Sequence, residues 1–219
     1  MKFPDPKLAR EDGLLCWGGE LDAETLLEAY SIGVFPWPQE NYPLLWFSPP
    51  QRGIIDFSEF HISKRLQKDL NAAPFEVSID RAFEQVISSC QSIKRSHEKG
   101  TWITQDMLSA YLKLHELGYS HSVECWQNES LVGGLYGVFI GGVFSGESMF
   151  FIEDNASKYC LIKLVEFLKT LSLTWIDTQM VTPLVKNFGG KYIDREDFLQ
   201  RIKKADKKVK WPKRLIKKR

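Results

Sequence analysis

The strongest constraint on the fold lies between residues 121 and 149. His121-Ser122-Val123-Glu124-Cys125-Trp126 alternates in polarity, Asn128-Glu129 interrupts it, residues 131–139 resume it, and Gly141-Gly142 interrupts again before residues 143–149. A period of two marks strands, and two-residue breaks rich in Asn and Gly mark tight turns. Three consecutive antiparallel strands form a meander, so the chain has to be built around a sheet. Helical spacing surrounds it. Asp22 caps a segment with Leu26, Leu27 and Tyr30 on one face, ended by Gly33. Residues 63–70 form a short helix. Asp80 caps another with Phe83, Val86, Ile87 and Cys90, and Thr104 caps a third with Met107, Tyr111 and Leu114. Residues 157–171, apolar on most sides, form a buried helix capped by Asn155 or Ser157. Residues 175–179 are a short strand, a helix lies near residues 183–188, and Asp194 caps a last helix carrying Phe198, Leu199 and Ile202. The order is that of an α+β protein.

The chain has 219 residues, of which 13% are aromatic, far above the content of unfolded segments. No stretch approaches the ~18 consecutive apolar residues that cross a bilayer. The start, Met1-Lys2-Phe3-Pro4-Asp5-Pro6, lacks a secretory h-region. Cysteines 16, 90, 125 and 160 show neither C-x-x-C nor metal-ligand spacing. The expectation is a reduced, cytoplasmic protein with no metal and no membrane association. A net charge of +1 conceals a split: residues 201–219 carry +10 and the rest −9. Such a basic stretch meets an anionic polymer such as nucleic acid, stays solvated, or touches a membrane surface.

The common catalytic signatures are absent. Phe144-Ser145-Gly146-Glu147-Ser148 lacks the spacing of a nucleophile elbow, and no phosphate-binding glycine loop occurs. The four histidines read as exposed or structural. Three clusters remain. In Gly146-Glu147-Ser148-Met149-Phe150, an acid among apolar neighbours must pair with a cation or ionise poorly. Asn155-Ala156-Ser157-Lys158 opens the buried helix. Asp177 and Gln179 are two apart on one strand, hence on one face, as an amine-orienting pair or equally as a polar edge strand. Aromatic residues on the proline-stiffened segments around Trp37 and Phe47 suit a core or a stacking surface.

Read together, these motifs resemble the leucyl/phenylalanyl-tRNA–protein transferases. The resemblance runs from about Gly13 to Phe198. It is carried in order by Gly33-Val34-Phe35-Pro36-Trp37, Trp46-Phe47-Ser48-Pro49 with Arg52, and Thr101-Trp102-Ile103-Thr104. His121 through Glu124, Gly146 through Phe150, Asn155 through Lys158, and Ile176-Asp177 with Gln179 follow. It implies a small N-terminal domain and a GNAT-like (N-acetyltransferase-like) domain with a mostly antiparallel sheet. We place these at residues 1–60 and 61–202, with a basic tail at 203–219.

The implied activity is transfer of Leu, Phe and less readily Met from aminoacyl-tRNA to the N-terminal amine of proteins beginning with Arg or Lys, marking them for N-end rule degradation. No cofactor and no coenzyme A are implied. The resemblance assigns Asp177 and Gln179 to the attacking amine, and Glu147 to the acceptor's basic side chain or the aminoacyl-adenosine end. It assigns Phe47 and Trp102 to stacking on the 3′ adenosine, and Leu135, Phe144, Met149, Leu164 and Ile176 to the amino-acid pocket. Tyr30 matches a further position, where packing serves as well. Departures are Phe47 in the place of a second tryptophan, Leu135 and Leu164 where relatives can carry Met and Phe, and Thr178 where cysteine is common. Two rivals are a coenzyme-A-dependent acetyltransferase and a non-catalytic RNA-binding module. The first lacks its pyrophosphate loop at residues 155–158, and the second leaves Glu147, Asp177 and Gln179 without a purpose.

Overall fold

A computed structural model of the chain describes residues 2–39, 41–93 and 103–212. In chain order, β1 (Leu14–Trp17), α1 (Ala23–Ser31), β2 (Phe35–Pro36) and β3 (Leu45–Phe47) come first. Next are β4 (Gln51–Asp56), α2 (Lys64–Ala72), β5 (Glu76–Ile79), α3 (Phe83–Ser92) and α4 (Gln105–Glu116). The meander follows as β6 (Ser120–Gln127), β7 (Ser130–Ile140) and β8 (Val143–Phe151). The chain continues with α5 (Ala156–Thr170), β9 (Trp175–Gln179), α6 (Pro183–Asn187), β10 (Lys191–Asp194) and α7 (Arg195–Lys204).

The three short N-terminal strands form one sheet in the order β1-β3-β2, and the other seven form a second in the order β10-β4-β9-β8-β7-β6-β5. All pairs in the larger sheet are antiparallel except β8 with β9. This is the expected α+β layout with a mostly antiparallel sheet, and the meander lies where alternation placed it. β4 lies between β10 and β9, so a strand counted with residues 1–60 belongs to the larger sheet. Its central residues Arg52, Gly53, Ile54 and Ile55 are all buried, so it carries no alternation to read.

The two faces of the larger sheet bury different helices. Tyr136, Val138 and Phe150 pack with residues of α1, α3 and α4, whereas Val123, Leu135, Phe139 and Phe144 pack with the apolar side of α5. Asp22 and Thr104 cap α1 and α4 as expected, accepting from the Thr25 and Met107 amides at 2.7 and 3.2 Å. Asp80 does not cap α3. It sits at φ +56° and accepts instead from the Ser122 amide, the His121 ring and the Trp211 indole. The amides of Arg81 and Ala82 reach the buried Glu124 carboxylate on the neighbouring strand. Neither Asn155 nor Asp194 makes a side-chain cap bond.

The basic stretch from residue 203 begins as the last turn of α7, and Trp211 is buried against the body. Its ring stacks on His121 at 3.9 Å and meets Phe139, Phe144 and Phe167. Residues 213–219 lie outside the described residues.

Candidate active site

The parallel pair β8–β9 meets at a single register point, Ser145 opposite Asp177. Past that point Gly146–Met149 and Thr178–Met180 line a cavity of about 350 Å³ between the strands. Its apolar wall brings together Leu135, Phe144, Met149, Leu164 and Ile176 from β7, β8, α5 and β9. Pro36 and Trp37 from the N-terminal segment border the same space. An apolar hollow of this size with a few polar groups at one end has the character of a small-ligand site.

Among those polar groups, beside Ser148, Thr178 and Thr182, stand Glu147 and Gln179. The Gln179 amide Nε2 donates to Glu147 Oε1 at 2.7 Å. This leaves the Gln179 carbonyl free of that bond, because a carboxylate takes up only the donor end of an amide. Glu147 Oε2 accepts from the Tyr111 hydroxyl at 3.2 Å, and the Tyr111 and Tyr30 hydroxyls bond to each other at 2.5 Å. Burial raises the Glu147 carboxyl to about 7, and the Asp177 charge adds to the rise. The tyrosine hydroxyls and Arg52 pull in the opposite direction. Burial also pushes both tyrosine hydroxyls well above their usual range.

Strict alternation puts Asp177 and Gln179 side by side, but their environments differ. Asp177 is fully buried and does not line the cavity. Its carboxylate accepts from Arg52 Nε and Nη2 at 2.8 and 2.7 Å, Ser145 Oγ at 2.9 Å and the Gln179 amide N–H at 2.9 Å. Four donors saturate it. The Arg52 guanidinium is clasped between the Phe35 and Phe198 rings, 4.4 and 4.5 Å from their centroids. Gln179 stands at φ +59° next to a register shift against β4, and this kink separates its side chain from that of Asp177. Asp177 therefore holds Gln179 by the main chain while the side-chain amide turns to Glu147.

Phe47 stands on β3, opposite Phe35, with its ring 6.4 Å from the Phe35 ring, and is not part of the cavity wall. Trp102 lies outside the described residues. Behind the cavity wall, Arg52 and Ser145 hold Asp177, and Tyr111 with Tyr30 holds Glu147, although the sequence assigns chemistry to none of the four. Arg52 and Tyr30 are visible there only as motif positions, and Tyr111 as one member of a helical apolar stripe.

Residues 54–203 match the family described as leucyl/phenylalanyl-tRNA protein transferase, and residues 19–50 match the N-terminal domain of the same family. The chain is 46% identical to the leucyl/phenylalanyl-tRNA–protein transferase of Lawsonia intracellularis, over 92% of this chain and 89% of that one. It is 48% identical to the protein of that name from Desulfatibacillum aliphaticivorans, over 91% and 86%. Among solved structures, it overlaps a GCN5-related N-acetyltransferase-like protein from Streptococcus suis with a TM-score of 0.37, at 16% identity over 78% of this chain and 64% of that one.

Proposed function

The chain belongs to the leucyl/phenylalanyl-tRNA protein transferase family, and from that premise we propose that its cavity receives the side chain of an amino acid still esterified to tRNA. The enzyme transfers Leu, Phe or Met to the N-terminal amine of proteins beginning with Arg or Lys, which marks them for N-end rule degradation in the cytoplasm. The observation that carries this reading is the placement of one carboxyl–amide pair, Glu147 and Gln179, in the wall of a largely apolar recess.

An aminoacyl ester is already activated, so aminolysis requires a deprotonated amine at attack distance and a route for its proton. Gln179 offers its carbonyl to the incoming amine, and Asp177 keeps Gln179 in place through its backbone. Leu135, Phe144, Met149, Leu164 and Ile176 give an apolar fit to unbranched-β side chains. A methylene is worth ~1–3 kcal/mol in such a pocket, so Leu, Phe and Met are separated only modestly. Phe47 and Trp102 stack on the terminal adenosine, an interaction worth ~1–3 kcal/mol per base that does not depend on sequence. Among the described residues no helix is long and apolar enough to cross a membrane.

The test is a donor comparison with one Arg-headed peptide. Charged Leu-tRNA and Phe-tRNA extend it, whereas Val-tRNA extends it roughly 10-fold or more slowly and acetyl-CoA not at all. Acetylation of the peptide, or equal use of all charged tRNAs, overturns the reading.

A further inference from the structure

The most unusual polar feature of the interior is the pair Tyr30 and Tyr111. Tyr30 comes from α1 and Tyr111 from α4, 81 positions apart, and each is almost wholly buried. Two hydroxyls buried in an apolar cluster cost free energy unless they are used, and phenylalanine would pack in either place. Their hydrogen bonds converge on Glu147. Tyr30 and Tyr111 are joined to each other, Tyr111 donates to Glu147, and Gln179 donates to the other oxygen of Glu147. The relay ends at the cavity.

We propose that Glu147 is the proton acceptor of the transfer reaction, and that Tyr30 and Tyr111 are positioning residues that hold its carboxylate against Gln179. This inference rests on the aminoacyl transfer proposed above. Asp177 is not placed to take the proton, since all its hydrogen-bonding capacity is spent on Arg52, Ser145 and the Gln179 amide, and it does not line the cavity. Glu147 does line it, and the tyrosine hydroxyls and the Gln179 amide do not fill the roughly four lone-pair sites of its carboxylate.

The acceptor arrives as an ammonium and gives one proton to the Glu147 carboxylate. The free amine adds to the ester carbonyl, forming the C–N bond. The carboxylic acid returns a proton to the departing ribose oxygen as the C–O bond breaks, and takes one from the new nitrogen. The products are an amide, a free tRNA hydroxyl and a protonated Glu147, which releases its proton to solvent.

Charged and titratable groups act on Glu147 from four elements. Tyr30 faces it from α1, Tyr111 from α4, Asp177 from β9 and Arg52 from β4. Tyr136 of β7 stands beside Tyr111. Burial places the Glu147 carboxyl at about 7. The active form is the carboxylate, so the rate rises with pH through this value and then levels. Both tyrosine hydroxyls favour the carboxylate, so removing either moves the inflection upward.

The experiment is single-turnover transfer from Leu-tRNA to an Arg-headed peptide across a pH series, using the full chain and its variants. Glu147→Gln is expected to be ~10²–10⁴-fold slower at neutral pH, the usual range for a lost acid–base group. Its inflection moves to that of the peptide's own amine, near ~8. Tyr111→Phe and Tyr30→Phe shift the inflection upward and lower the high-pH plateau by less than Glu147→Gln does. A packing role alone lowers the rate equally at every pH and leaves the inflection in place, and that result overturns the inference. So does a Glu147→Gln variant with the rate and profile of the unaltered protein. If the unaltered protein extends no peptide at any pH, the transfer reading itself falls, an outcome that these profiles separate from the others.

Discussion

Gln179 and Asp177 are neighbours in the chain with different work. Gln179 presents an amide to the cavity, and its replacement by Ala removes one oriented group from the site, with an expected ~10²–10³-fold loss of transfer rate. Stability and tRNA binding should change little. Asp177→Ala removes the partner of the buried Arg52, which leaves an unpaired guanidinium and costs ~3–5 kcal/mol of stability. Its transfer rate falls as well, because the Gln179 backbone loses its acceptor. Single-turnover rates beside urea unfolding curves separate the two. Two variants with full transfer rates would contradict the assignment. The sequence marks both residues through a motif, yet it conceals their division of labour. The Arg52–Asp177 bond spans 125 positions, and no local pattern joins residues that far apart. The Tyr30–Tyr111 bond, across 81, is concealed in the same way.

Between β4 and β9 the site depends on a kink. The register slips beside Gly53, opposite Gln179, and a Cβ at Gly53 would lie 2.5 Å from the Met180 carbonyl carbon. Backbone cannot yield as a flexible side chain does, so Gly53→Ala pushes β9 away and carries Gln179 with it. The expected result is a lower melting temperature together with a rate loss larger than the stability change explains, measured by thermal denaturation and by transfer under folded conditions. Unchanged values in both assays would show that β9 does not need this close approach. Elements of this sheet differ in how readily they can be read. The meander, α5 and β9 follow from local periodicity. β4 does not, since it is buried on both faces, and β5 and β10 are four-residue strands with half-exposed patterns. Asp80 has the composition of a cap but is diverted by the His121 ring and the Trp211 indole, which are distant in sequence.

At the scale of the full chain, the basic C-terminal region carries a structural anchor among its described residues. Trp211 fills a space lined by His121, Phe139, Phe144 and Phe167, and Trp211→Ala should cost ~3–5 kcal/mol. Residues 213–219 add five cations, Lys213, Arg214, Lys217, Lys218 and Arg219. Deleting only these keeps the fold and weakens tRNA binding. It also flattens the dependence of log K on log salt by ~0.7–0.9 for every phosphate left without its cation. A binding isotherm unchanged across a salt series would assign them to solubility alone. The cavity wall is legible only through family resemblance. Leu135, Phe144, Met149, Leu164 and Ile176 look like any sheet and helix core, and it is the single-point pairing of β8 with β9 that leaves them around open space.

A peptide-extension assay bears on all of this at once. Radiolabelled Leu-tRNA and Phe-tRNA are offered with peptides that begin with Arg, Lys, Asp or Ala and are otherwise identical. The transfer mechanism predicts that Arg- and Lys-headed peptides each gain one labelled residue and that the other two stay unmodified. Labelling irrespective of the first residue, or of none of the four, would contradict it.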